Sequence, residues 1–182
     1  MSEIADRYRR LAEELTRRVA AVPADRWESP SPCAGWTARD VLRHLVTTHG
    51  DMLGYVGLSL GEMPSVDDDP VGAWAAVRAR TQAVLDDPEL AGREYDGLFG
   101  RTKIEDTLDT FQGMDLLIHS WDIARATGGD ERLDPAEVEW ASAFVRTLGD
   151  GLRGPNICGP EVPVAEGADA QTRLLAYLGR TP

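Results

Sequence analysis

The chain has 182 residues and a mass of 19.9 kDa, with 42% hydrophobic residues, enough to bury the core of one domain over residues 1–182 and too many for compositional disorder. Its formal net charge of -12 and pI near 4.6 disfavour nucleic acid and anionic membrane surfaces as partners. The charged start MSEIADRYRR lacks an apolar signal segment, and no apolar run nears the ~18 residues of a membrane span, so a soluble cytoplasmic protein is expected.

Ile4, Tyr8, Leu11, Leu15 and Val19 recur at helical spacing and predict a first helix from Ser2 to Val22. Residues 23–35 form a Pro-punctuated connection that carries Trp27 and Cys33. Cys33 stands just before a predicted helix start and admits two readings. One is a reactive thiol whose pKa a helix N-terminus lowers; the other is a small half-buried residue in a loop. Cys33 and Cys158 are the two cysteines, too few for a disulfide framework and without zinc-motif spacing.

Thr37 followed by Asp40 reads as a capping box, opening a second helix that continues through Val41, Leu42, Leu45, Val46, Met52, Leu53 and Val56 to about Leu60. An acidic loop, residues 61–70, precedes a third helix from Val71 to Leu85. Residues 87–101, with Pro, Gly and the Tyr95, Leu98 and Phe99 cluster, read as a loop with a short hairpin. Thr102 to Glu105 reads as another capping box, and Gly128-Gly129 stops the long fourth helix. Asp134-Pro135 starts a further helix, residues 150–169 form a Gly/Pro loop, and a closing helix spans Ala170 to Leu178. The pattern predicts an all-α four-helix bundle with an additional C-terminal helix and long loops.

The chain has three histidines, His44, His49 and His119. Asp115 and His119 lie four apart on the fourth helix, with Cβ atoms about 6 Å apart on one face, a separation that one metal ion bridges. A hydrogen-bonded Asp–His pair has the same spacing. A third ligand must come from His44 or His49 on the second helix. Periodicity puts His49 in the middle of that helix's apolar stripe and His44 on its flank, so both remain open. Two histidines and a carboxylate suit Zn²⁺, Fe²⁺, Ni²⁺ or Mn²⁺, with zinc first, and leave positions for water or substrate. Asp122 lies within reach of both His119, whose tautomer it would fix, and Arg125. Trp36 and Trp121 are expected in the core.

Pro32-Cys33-Ala34-Gly35-Trp36-Thr37, with Arg39 to Leu45 after it, resembles the second-helix signature of the DinB-like metal-binding superfamily. Within it, the branch of the mycothiol-dependent maleylpyruvate isomerase N-terminal domain is the nearest. Asp115 to Gly128, Gly159 to Val164 and Arg173 to Arg180 resemble the same branch, so the likeness extends over nearly the whole chain. The resemblance implies His44 as first ligand, with Asp115 and His119 as the others, and His49 as the alternative. The isomerase has a glutamate at the position of Asp115, one methylene longer. It also carries a separate C-terminal domain for substrate binding, and this sequence ends without one. Maleylpyruvate is therefore not the expected substrate, while a metal-and-thiol chemistry of that kind is.

Three functions follow. In the first, a metal-dependent transferase or isomerase uses a low-molecular-weight thiol, mycothiol by the resemblance, against a small electrophile. In the second, a metal-dependent hydrolase uses His49 as general base. In the third, the metal domain is non-catalytic. A homodimer is the expected assembly.

Overall fold

The computed structural model describes residues 2–97, 100–152 and 158–182. In chain order its elements are α1 (Glu3–Ala21), α2 (Ala38–Gly54), α3 (Pro70–Asp86), a short α4 (Pro88–Ala91), strands β1 (Glu94–Gly97) and β2 (Gly100–Lys103), and α5 (Ile104–Thr107). A π turn (Leu108–Gln112), α6 (Gly113–Thr127), α7 (Pro135–Leu148), a 3-10 turn (Gly149–Leu152) and α8 (Ala170–Tyr177) complete it. Helices α1 and α2 each pack against both α3 and α6, closing a four-helix ring, and α7 and α8 pack against each other beside it. The fold is all-α, with one small hairpin. Among the described residues no helix is long and apolar enough to cross a membrane.

Local chemistry accounts for the helix ends. Ser2, Thr37, Asp69, Asp134 and Asp169 each accept a backbone N–H at a helix start, and Pro70 and Pro135 occupy first-turn positions where no N–H is needed. Gly128 takes the left-handed conformation (φ 77°) that ends α6, and the N–H of Gly129 closes onto the Ala124 carbonyl at 2.8 Å.

Two boundaries differ from expectation. Helix α2 ends at Gly54, short of Leu60; Gly57 turns the chain at φ 72° and Leu58 closes back on Leu53. The expected capping box at Thr102 does not form. Thr102 pairs with Tyr95 in the antiparallel hairpin, and α5 starts at Ile104 without a side-chain cap. Leu98 and Phe99, expected to cluster with Tyr95, lie outside the described residues.

The long fourth helix is also interrupted by its π turn, where the Gly113 N–H bonds to Leu108 five residues back. Its buried stripe passes from Ile104 and Leu108 to Leu116 and Ile123. In a regular helix that stripe would drift by about 100°. The wider turn absorbs most of the drift, so both halves face one core.

His49 sits inside that core at 0% exposure, edge-on to Tyr8 and Trp74 at ring-centroid distances of 5.9 and 5.6 Å. Its Nδ1 lies 2.6 Å from the Leu45 carbonyl and its Nε2 lies 3.2 Å from the Tyr8 hydroxyl. A carbonyl only accepts, so Nδ1 carries the proton and Nε2 accepts from Tyr8. Burial pushes His49 down to about 4, against the opposing pull of its Leu45 hydrogen bond and the Asp115 charge. Burial pushes the Tyr8 phenol up, so both groups stay neutral.

The sign of the pH effect follows. Unfolded His49 takes up a proton near pH 6.5 and the folded ring only near 4, so stability falls as pH drops through that window. Urea denaturation of metal-free protein at pH 7 and pH 4.5 is expected to show this loss. His49→Gln should reduce the pH-dependent part by roughly 2–3 kcal/mol while lowering stability at pH 7. Equal pH dependence in the two proteins would refute the assignment.

Candidate metal centre

The connection before α2 folds back on itself. Pro30 bridges to Thr37, and the Ser31 N–H reaches the Trp36 carbonyl at 2.8 Å. The capping box then forms fully: Asp40 N–H donates to Thr37 Oγ1 at 3.2 Å, and Thr37 N–H donates to Asp40 Oδ2 at 2.9 Å. Two turns on, His44 faces α6. The Trp36 ring stands 5.2 Å from the His44 ring, 37% exposed, so this tryptophan walls the site instead of filling the core. Trp121, at 1% exposure, is in the core as expected.

His44, Asp115 and His119 converge. His44 Nε2 lies 3.3 Å from Asp115 Oδ2, His119 Nε2 lies 4.0 Å from Asp115 Oδ1, and the two imidazoles are 5.0 Å apart at 77°. One donor atom from each residue falls within 4.8 Å of the others. A tetrahedral ion with bonds of ~2.0–2.1 Å needs donors about 3.3 Å apart, so the set suits such an ion after small side-chain shifts. The side chains of His44 and Asp115 are 29% and 32% exposed, which leaves the centre open on one side. Partial burial alone would raise the Asp115 carboxyl, but the His44 hydrogen bond and the neighbouring imidazoles hold it below its ordinary value.

A second layer holds His119. Its Nδ1 lies 2.8 Å from Oδ2 of Asp122, a carboxylate fully shielded from solvent. Arg180 grips both oxygens of Asp122, Nη2 to Oδ2 at 2.8 Å and Nε to Oδ1 at 3.3 Å, and the Cys33 thiol donates to Oδ2 at 3.4 Å. Burial would raise Asp122, but the His119 hydrogen bond and the Arg180 charge outweigh it and pull the carboxyl down to about 2. The ionised Asp122 fixes the proton on His119 Nδ1 and turns the Nε2 lone pair towards Asp115 and His44. Arg125 pairs instead with Glu131 at 2.8 Å, so the alternative partner for Asp122 is ruled out.

Cys33 proves to be the half-buried loop residue and not an activated thiol. Burial and the Asp122 charge push it up to about 12 against the pull of Arg180, and it stays protonated as a donor. Cys33, His119 and Asp122 also have donor atoms within 4.8 Å of one another, but Arg180 already neutralises that carboxylate, so the group reads as a hydrogen-bond network.

Arg180 is the member that local sequence patterns miss, since 58 residues separate it from Asp122. Its direction is set by Gly179, which has φ 81° and backbone atoms of Gly159 3.1 Å from where a Cβ would stand. The other candidate, His49, gives both ring nitrogens to protein partners and is in neither donor cluster.

Residues 8–124 match the family described as the mycothiol maleylpyruvate isomerase N-terminal domain, a segment that contains Cys33, His44, Asp115, His119 and Asp122. Two relatives from Mycobacterium tuberculosis, the uncharacterized protein Rv0738 of strain H37Rv and the uncharacterized protein MT0763 of strain CDC 1551, are each 30% identical over 188 residues, covering 96% of this chain and 96% of theirs. No solved structure gives a significant match. The chain therefore belongs to the mycothiol maleylpyruvate isomerase N-terminal domain family, a DinB-like metal-binding branch.

Proposed function

We propose that His44, Asp115 and His119 hold a divalent ion, zinc first with nickel, iron(II) and manganese as alternatives, and that the protein uses it with a mycothiol-like thiol on a small electrophile. The observation that carries this reading is the convergence of three donors on a half-open seam, with the tautomer of His119 fixed from behind by Asp122. When bound there, the ion supplies a Lewis acid that keeps a thiol deprotonated at neutral pH.

The chain's own residues do the rest. Asp115 brings a negative charge between the two imidazoles, and the Asp122–Arg180 pair orients His119 without adding net charge. Trp36 stands beside His44, its ring tilted at 48° and 5.2 Å away, and forms one wall of the site. The incoming sulfur then has two courses. It displaces a leaving group from an electrophilic carbon, or it adds to an activated double bond, allows rotation about the resulting single bond, and leaves again with no net change in atoms. The hydrolytic alternative asks His49 to act as base, and its two engaged nitrogens argue against that role.

Elemental analysis of untagged protein is expected to find about one metal ion per chain, lost in His119→Ala; equal metal in both proteins would reject the ligand assignment. Asp122→Asn should weaken metal affinity by about 10–100-fold in chelator competition, with the helical circular dichroism retained. Unchanged affinity would show that Asp122 only supports the fold.

A further inference from the structure

Helices α2 and α6 run antiparallel along the open side of the centre, since His44 meets Asp115 while Met52, further along α2, contacts Gln112, earlier on the neighbouring chain segment, at 3.3 Å. On α2 the face that carries His44 continues at helical spacing through Thr48 and Met52 to Tyr55. On the facing helix, Phe111 lies one turn before Asp115. The large aromatics exposed among the described residues are Trp36, Tyr55 and Phe111, at 37%, 54% and 37%, and all three stand on this seam. A groove of about 640 Å³ has Met52, Tyr55, Tyr95, Phe111 and Phe144 among its walls, with Met52 two turns along α2 from His44 and Phe111 one turn before Asp115. Tyr55 lies against Tyr95 at 5.0 Å, and Phe111 meets Phe144 at 6.3 Å, so each wall is an aromatic pair.

The polar groups at its mouth limit what fits. Asp106 lines the groove, is exposed, and makes no ion pair among the described residues, while Arg101 is occupied by Glu94 at 2.7 Å. Thr102, Thr107 and Thr110 also line the groove, the Thr110 hydroxyl donating to the Asp106 carbonyl at 2.7 Å and the Thr107 hydroxyl lying 2.7 Å from that of Tyr95. Aromatic walls with a carboxylate acceptor suit a ring that has apolar C–H faces and hydroxyl or ammonium donors on its edge. The free carboxylate opposes an anionic ligand. By helix rise, Phe111 is about 6 Å from the level of Asp115, and Met52 is about 12 Å from that of His44.

We propose that this groove binds the sugar or polyol body of an uncharged thiol and places its sulfur, across a short spacer, at His44, Asp115 and His119. The inference rests on the thiol reading above and adds to it where the unreactive part of that thiol is held.

The test uses full-length protein loaded with cobalt(II), in which sulfur ligation is read directly from a near-ultraviolet charge-transfer band. The probes are mycothiol and N-acetylcysteinamide, the same thiol head without the sugar. Wild type is expected to bind mycothiol at least about tenfold more tightly. Phe111→Ala and Tyr55→Ala, both at exposed positions, should each remove most of that advantage, and Asp106→Asn part of it, with cobalt content and N-acetylcysteinamide affinity unchanged. If the band forms with both thiols at equal affinity, or the variants bind mycothiol as wild type does, the groove is not the subsite and the thiol reading stands. If neither thiol produces the band, the thiol reading fails and the groove proposal fails with it.

Discussion

The buried carboxylate of Asp122 is the point on which the centre depends. An ionised carboxylate away from water is costly unless its charge and lone pairs are met. Here Arg180 meets both, and His119 and Cys33 supply the remaining donors. The network joins three stretches distant in sequence: the connection before α2, the middle of α6, and the turn after α8. An imidazole held from behind at Nδ1 has one orientation for Nε2, so the fold itself sets the geometry of this donor. Removing Arg180 would leave Asp122 buried and uncompensated, and the disturbance would reach His119 through a single hydrogen bond.

The bundle supplies the other half of the geometry. Thr37 and Asp40 fix where α2 begins, and so the level at which His44 meets α6. The π turn keeps the two halves of the opposite helix on one core while Phe111 is directed outwards. Such turns interrupt the regular backbone ladder and are found frequently at functional sites. In this chain the turn itself lines the aromatic groove through Phe111, one turn before Asp115, where one helix must serve core, groove and centre at once.

Much of this was legible in the residues. Helical spacing, caps and stops located the bundle helices because each is a local property of a few neighbours, as at Thr37 or Gly128. The i, i+4 relation of Asp115 and His119 was legible for the same reason. Periodicity preferred His49 to His44, and the structure explains the preference: His49 is the core-facing histidine, satisfied by Tyr8 and Leu45, while the flank position opens onto α6. A hydrophobic stripe therefore marks burial, and a side chain that joins a donor cluster on a half-open seam sits at its edge. The false capping box at Thr102 shows the limit of local reading, since its pairing with Tyr95 across the hairpin outweighs the helix-start pattern. Arg180 lay beyond that limit, because nothing near it in sequence specifies a partner 58 residues away.

The charges around the centre work in layers. On the proposed reading, a divalent ion beside Asp115 would leave a net positive charge at the point where a sulfur would bind. The Asp122–Arg180 pair adds nothing to it, being neutral overall. Outside lies a chain of net charge -12 with Asp106 at the groove mouth. On that reading a thiolate would be favoured only at the centre itself, and a ligand already anionic would be opposed along the way. A molecule that satisfied both layers would be neutral in its body and become charged only at its sulfur, on arrival. The same logic would disfavour peptide thiols that carry free carboxylates, and would place discrimination between thiols in the approach as well as at the proposed centre.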